Sequence, residues 1–188
     1  MNGGLNLHPF MKTALKRILL GGLVALGLAA MASANPAIEG RWSLDTAAST
    51  ALDGWHKIDL DIALDGSKVS VGYTMQWRTT IHEATNVFDT EALVETKDFF
   101  RVEQRHMAVY PAKNGVTKAL AKWIDGGKTL LTEALTPVEV SQGDTVMRIT
   151  SEYRVSELGD KLTIIELHSS RNRPLVYVFN KVTEEATK

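Results

Sequence analysis

The stretch "WHKIDLDIALDGSKVSVGYTMQW", residues 55–77, decides the fold. Polar and apolar residues alternate up to Leu64, and they alternate again from Lys68 onwards. Strict alternation is the pattern of a strand that buries one face. The Asp65-Gly66 pair lies between the two halves, and such a pair between alternating runs is a strong short-range hairpin signal. The stretch therefore predicts two antiparallel strands joined by a tight turn.

The same pattern recurs towards the end of the chain. "TVMRITSEYRV", residues 145–155, alternates, "LGDK" turns the chain, and the runs "LTIIELHSS" and "LVYVFNKV" follow. About eight to ten short strands joined mostly by hairpins predict an all-β fold, an antiparallel up-and-down meander barrel whose closure removes exposed edges. We expect a short N-terminal helix or lid at residues 46–52. Neither period holds across residues 79–98, so their structure is left open.

A leader segment precedes the predicted barrel. From Met11 the chain reads "MKTALKRILLGGLVALGLAAMASANPA", with basic residues first, then an apolar run over residues 18–30, then Ala32-Ser33-Ala34. This order is that of a secretory signal peptide cleaved after Ala34. The apolar run is shorter than the roughly 20 residues that span a bilayer, so we expect no membrane span after cleavage.

These features predict two parts of the chain. Residues 1–34 are interpreted as the signal peptide, within which residues 1–10 lack signal character and are interpreted as a mis-start, with Met11 as the initiator. Residues 35–188 are predicted to form a single barrel domain, located in the periplasm or secreted.

Composition narrows the class of protein further. The chain contains no cysteine, so the leader cannot end in the acylated cysteine of a lipoprotein and the exported domain cannot contain a disulfide. The chain has 21 Lys and Arg against 22 Asp and Glu, and three of the basic residues lie in the leader. The predicted mature part is therefore acidic, which does not favour nucleic acid or an anionic membrane as partner.

The start of the predicted barrel resembles a known family. "GRWSLDTAAS", residues 40–49, is similar to the first strand of small secreted bacterial lipocalin-like proteins, and the resemblance extends to "WIDGGKTLLTEA", "YRVSELGDKLTIIELHSSR" and "LVYVFNKV". It does not cover residues 79–98. It implies that Gly40 and Trp42 close one end of the barrel, and that a cation from Arg171 or Arg173 stacks on the Trp42 ring. The family implies little about activity.

The sequence contains no motif of a nucleophile, a phosphate loop or a zinc site. The alternation instead places several histidines, tyrosines and methionines on apolar strand faces. If those faces line a barrel, a few polar groups converge in an apolar interior, as a small-ligand cavity requires. The candidate cavity residues are His56, Tyr73, Met75, His106, Tyr110, Met147 and Tyr153. His168 is a weaker candidate because Ile165 and Leu167 make its side of the strand uncertain.

A simpler interpretation of these residues is that they belong to the core, with each polar atom bonded to a neighbour. In "FRVEQRHMAVY" the charged set Arg101, Glu103 and Arg105 is interpreted as a solvated outer face. No catalytic residue, metal ligand or cofactor is assigned.

The sequence favours an exported protein that binds a small, mostly apolar molecule inside the barrel. One alternative is an envelope module with a filled barrel that serves a structural or protein-interaction role. Another is an enzyme, or a haem or metal carrier, that uses an inward histidine. Ligand identity, catalysis and oligomeric state are left open.

Overall fold

The computed structural model describes residues 34–51, 55–101 and 110–183. The chain divides into two units, Met1–Met31 and Ala32–Lys188, and all described residues belong to the second. The predictions of a leader and of a single domain at residues 35–188 stay predictions. Within the described ranges, no helix has the length and apolarity needed to cross a membrane.

The described residues form eleven antiparallel strands, and helical geometry is confined to 3₁₀ turns at Pro36–Ile38 and Asp125–Gly127. The strands are β1 (Gly40–Leu44), β2 (Lys57–Asp65), β3 (Lys68–Trp77), β4 (Thr80–Asp89), β5 (Val94–Thr96), β6 (Tyr110–Pro111), β7 (Thr117–Ile124), β8 (Thr129–Val140), β9 (Gly143–Val155), β10 (Lys161–His168) and β11 (Leu175–Lys181). Most neighbours along the chain are also neighbours in the sheet, because hairpins connect them.

The strands make one nearly closed barrel. Their order is β4-β3-β2-β1-β11-β10-β9-β8-β7-β5, and β6 pairs with β8 beyond the start of β7. The first strand, β1, pairs with the last strand, β11. At the two edges of the sheet, β4 contacts β7 and β5, which nearly closes the barrel. The predicted all-β, antiparallel meander barrel is confirmed.

The predicted hairpin at residues 55–77 forms from β2 and β3. Asp65 pairs with Lys68 across the turn, and the ladder continues to Lys57 and Gln76. Gly66 has a φ of +59°, a conformation that L side chains rarely adopt and glycine adopts freely. The inward residues of β2 and β3 are almost completely buried, namely Ile58, Leu60, Ile62, Val69, Val71, Tyr73 and Met75. Alternation in these two strands therefore does specify the core face.

Residues 45–50 form a turn along β11 instead of the predicted helix. The Asp45 carboxylate accepts hydrogen bonds from the amides of Ala47 and Ala48, which closes a turn at the end of β1. Ser49 and Thr50 then bond the backbone of β11 at Val178 and Val176, respectively. Of the helix or lid predicted at residues 46–52, the helix is wrong up to residue 51, because Ser49 and Thr50 bond the backbone of β11 instead of forming a helical turn. Leu52 lies outside the described residues.

Trp42 is fully buried and is held from two sides. Its indole N–H donates to the Ile38 carbonyl at 2.9 Å, which ties the Pro36–Ile38 turn to the barrel. The ammonium of Lys181 lies 4.7 Å from the ring centroid and donates to the Ala37 carbonyl at 3.0 Å. Gly40 has a φ of +111°, which lets the chain pass from this turn into β1.

The predicted cation over Trp42 is wrong. Arg171 and Arg173 lie in the loop between β10 and β11, at the opposite end of β11 from the Trp42 pair. The cation is Lys181, which is the register partner of Trp42 across the β1–β11 junction. The sequence pattern could not reveal this, because it depends on which residue of the last strand faces the first.

Replacing Lys181 by methionine should lower the free energy of unfolding by about 1–2 kcal/mol, since the change removes a cation from the Trp42 face and a charged donor from the Ala37 carbonyl. Urea unfolding followed by tryptophan fluorescence measures this loss. Lys161→Met is the matched control, because the Lys161 ammonium bonds the exposed side chain of Asn180 in β11, and it should change stability by less than about 0.5 kcal/mol. Equal stability of the two variants would contradict the role of Lys181.

Candidate functional site

A polar row crosses the inner wall of the barrel where β8, β9 and β10 lie side by side. Glu166 pairs in register with Ser151, and Ser151 pairs with Thr132. Inward positions of neighbouring strands lie next to each other on the wall, so these three side chains form a continuous row. Tyr153 is the next inward residue of β9 along from Ser151. The row is thus built by register alone, from residues that lie 15 to 34 positions apart.

Glu166 is the charged member of this row. Its Oε2 accepts a hydrogen bond from the Ser151 hydroxyl at 3.1 Å, and its Oε1 lies 2.7 Å from His168 Nε2. The His168 side chain is completely buried and that of Glu166 is 16% exposed. A buried carboxylate is expensive unless hydrogen bonds compensate for the lost water. Ser151 and His168 supply these bonds and hold the carboxylate in one orientation.

The opposite wall comes from β3, β4 and the residues that follow β5. Tyr73 and Asn86 project inwards from β3 and β4, and residues 98–101 run past them without pairing with any strand of the described part. The Asn86 side chain bonds both backbone groups of Phe100, donating to its carbonyl at 2.9 Å and accepting from its amide at 2.8 Å. The Phe100 ring packs on Tyr73, with centroids 5.2 Å apart. Asn86 therefore fastens residues 98–101 against β4.

A cavity lies between the two walls, with a volume of about 20 Å³, which is room for about one water molecule. Its lining mixes aromatic rings, hydroxyls and charged groups. The lining residues are Tyr73, Asn86, Phe88, Phe99, Phe100, Arg101, Thr132, Ala134, Ile149, Ser151, Tyr153 and Glu166. This cavity is a candidate ligand site among the described residues.

Two tyrosines of the cavity remain neutral over a wide pH range. Burial, and then the negative charge of Glu166, raise the pKa of Tyr73 far above its usual value near 10. Burial, and then the charges of Tyr73 and Glu166, raise the pKa of Tyr153 in the same direction. Both hydroxyls therefore keep their protons and can both donate and accept hydrogen bonds.

Two of the seven predicted cavity residues, Tyr73 and Tyr153, line this cavity together. Met75 and Met147 are buried but are not among its lining residues. His56 is exposed, so its placement in the cavity is wrong: it precedes the first residue of β2, at the end of the barrel. His106 lies outside the described residues. Tyr110 belongs to β6, and its side chain is likewise outside the description.

Other members of the site were placed wrongly or missed. Arg101 is 5% exposed and lines the cavity, so its assignment to a solvated face is wrong. Alternation already placed Ser151 beside Tyr153, but it gave no reason to single the serine out. Asn86 was missed because β4 turns a polar residue inwards and leaves Val87 half-buried on the other face. Within the described ranges, no three His, Asp or Glu side chains converge as a metal site would require.

No family model and no curated protein matches the chain. Among solved structures, it resembles a fatty acid-binding protein from brain tissue of Drosophila melanogaster, at 13% identity over 74% of this chain and 95% of that chain, with a TM-score of 0.46. It also resembles secretory abundant heat soluble protein 4 from Ramazzottius varieornatus, at 11% identity over 80% and 99% of the two chains, with a TM-score of 0.47. Human cRBP IV matches at 13% identity over 77% and 98%, with a TM-score of 0.46.

These likenesses carry no conclusion about ligand or activity. The barrel is established by the strand order of the chain itself, in which the meander β1 to β4 joins the meander β7 to β11 through the β1–β11 pair.

The raised pKa values of Tyr73 and Tyr153 predict a loss of stability in alkali. Above about pH 10 the unfolded tyrosines lose protons and the buried ones keep them, so stability falls as pH rises, by about 1.4 kcal/mol per pH unit for each tyrosine. Urea unfolding between about pH 8 and about pH 11 measures this slope. The double variant Tyr73→Phe, Tyr153→Phe should have the shallower slope, and identical slopes would show that neither hydroxyl is held neutral in the folded protein.

Proposed function

We propose that the chain is an exported, lipocalin-like protein that binds one small, mostly apolar ligand inside its barrel, at the cavity between the polar row and residues 98–101. The observation that carries the proposal is the polar row itself. Apolar side chains at Thr132, Ser151 and Glu166 would give a core without the cost of burying a carboxylate. A barrel that serves only as a scaffold has no need of such a row.

The size of the cavity constrains how a ligand could enter. A space of about 20 Å³ holds nothing larger than a water-sized group, so a larger ligand must displace part of the wall. Phe99, Phe100 and Arg101 line the cavity and are suited to move, because they lie in the segment without strand pairing. Two hydrogen bonds from the Asn86 side chain hold the backbone of this segment in place of a strand ladder. We place the entrance between β4 and this segment.

A second candidate function has its own support. The small cavity also fits a filled barrel that acts as an interaction module in the cell envelope. Four large apolar side chains are exposed on the outer face of β8, β9 and β10, namely Leu135, Val146, Ile165 and Leu167. Exposed apolar groups mark a protein contact where they join into one contiguous patch.

Native mass spectrometry of the protein purified from its own cells distinguishes the two functions. Ligand binding predicts a reproducible added mass that is lost in Ala134→Leu, because the larger side chain fills the cavity from β8. Ala121→Leu is the matched control, since Ala121 is equally buried but does not line the cavity, and it should keep the adduct. A bare mass for the wild-type protein, together with a second copy or another protein in the spectrum, would favour the interaction module instead.

Export is proposed on the leader pattern. N-terminal sequencing of the protein expressed from Met11 should give Asn35 as the first residue. Ala34→Tyr should block cleavage, because the position before the cut requires a small side chain. Asn35→Gln is the control and should be processed normally. An intact leader on the wild-type protein, retained in the cytoplasm, would contradict the proposal.

A further inference from the structure

Glu166 has unused capacity to accept hydrogen bonds. An ionised carboxylate offers about four lone-pair positions, and in the described part of the chain its oxygens bond one hydroxyl and one imidazole nitrogen. Because Glu166 lines the cavity, its remaining lone-pair positions can accept a hydrogen bond there. A group that enters the cavity therefore meets an acceptor that is already oriented by Ser151 and His168.

The surroundings of this carboxylate disfavour an anion. The Glu166 carboxylate itself lines the cavity, and after burial, the larger cause, its charge contributes to the raised pKa values of Tyr73 and Tyr153. A ligand carboxylate or phosphate in the same cavity would meet the same repulsion, with little water to screen it. The aromatic part of the lining, which includes Phe88, Phe99 and Phe100, suits a flat apolar body.

Arg101 is the group that could reverse this preference. It is buried and lines the cavity, and it could receive an acidic ligand. However, Arg101 already has an interaction of its own within the protein. His168 is the other cationic candidate, and its Nε2 already lies against Glu166. An acidic ligand would thus have to compete with interactions that Arg101 and His168 already make, whereas a donor finds an acceptor with free positions.

We infer that the ligand carries a hydrogen-bond donor, such as an amine or a phenolic hydroxyl, on a compact apolar or aromatic body, that it bears no negative charge, and that the Glu166 carboxylate receives this donor. The inference rests on the proposed function and adds the chemical class of its ligand. Glu166 is then a binding residue, and His168 and Ser151 position it.

Four probes of similar size test the inference by isothermal titration of the exported protein: benzylamine, 4-methylphenol, toluene and benzoate. We expect benzylamine and 4-methylphenol to bind about tenfold or more tightly than toluene, and benzoate to bind most weakly. The order of affinities in the wild-type protein is itself a test, so it stands even where a variant fails to fold.

Glu166→Gln provides the second test. It removes the charge and should weaken benzylamine about 10-fold to 100-fold, the range for losing a charged hydrogen-bond partner, while it changes toluene little. Glu133→Gln is the matched control on the outer face of β8, away from the cavity lining, and should leave all four affinities unchanged.

Several results would overturn the inference. Benzoate binding more tightly than benzylamine, and losing affinity in Arg101→Gln, would assign the ligand to the acidic class while leaving the proposed function intact. Toluene binding as well as the donors would show that Glu166 does not select. If none of the four probes binds, the inference fails, and the proposed function is then decided by the native mass spectrum alone.

Discussion

A sheet that closes on itself sends every second residue of every strand into one small interior, and this constraint governs the molecule. Most of the inward positions are filled by apolar side chains, and the chain has no disulfide to compensate for a weak core. Each inward polar residue must therefore find a partner on a neighbouring strand. Thr117 and Thr136 do so, with hydroxyls 2.6 Å apart. Glu166 does so through Ser151 on β9, and His168 of its own strand is its second partner. The register of neighbouring strands decides which inward residues lie side by side and can form such pairs.

Much of the fold could be predicted, because alternation and turn chemistry are local properties. The β2–β3 hairpin follows from one Asp-Gly pair and two alternating runs, and the barrel follows from the repetition of that pattern. The predictions that failed depend on distant partners. Residues 46–50 have a composition that suits a helix start, yet Ser49 and Thr50 bond β11, more than 120 positions away in the chain. The cation over Trp42 likewise depends on the register of β1 with β11.

The candidate site was less predictable than the fold. Tyr73 and Tyr153 could be found, since each lies on the apolar face of a clearly alternating strand. Asn86 could not, because β4 breaks the usual pattern by burying an amide and leaving Ile81 63% exposed. The reason for the buried amide lies in residues 98–101, whose backbone it bonds. Arg101 was assigned to the outer face on alternation alone, but residues 98–101 form no strand, so period two has no meaning there.

Asn86 and Arg101, the two site residues that alternation did not place, line the same cavity. The regular strands β8, β9 and β10 supply the polar row. Residues 99–101, which form no strand, line the cavity on the other side. A rigid wall that orients an acceptor, opposed by a segment held largely through side chains, is an arrangement that can admit a ligand without unfolding the sheet. The same arrangement would let a cavity of about 20 Å³ serve the binding function that we propose. On this proposal, the volume available to a ligand depends on the two hydrogen bonds between Asn86 and Phe100 as well as on the diameter of the barrel.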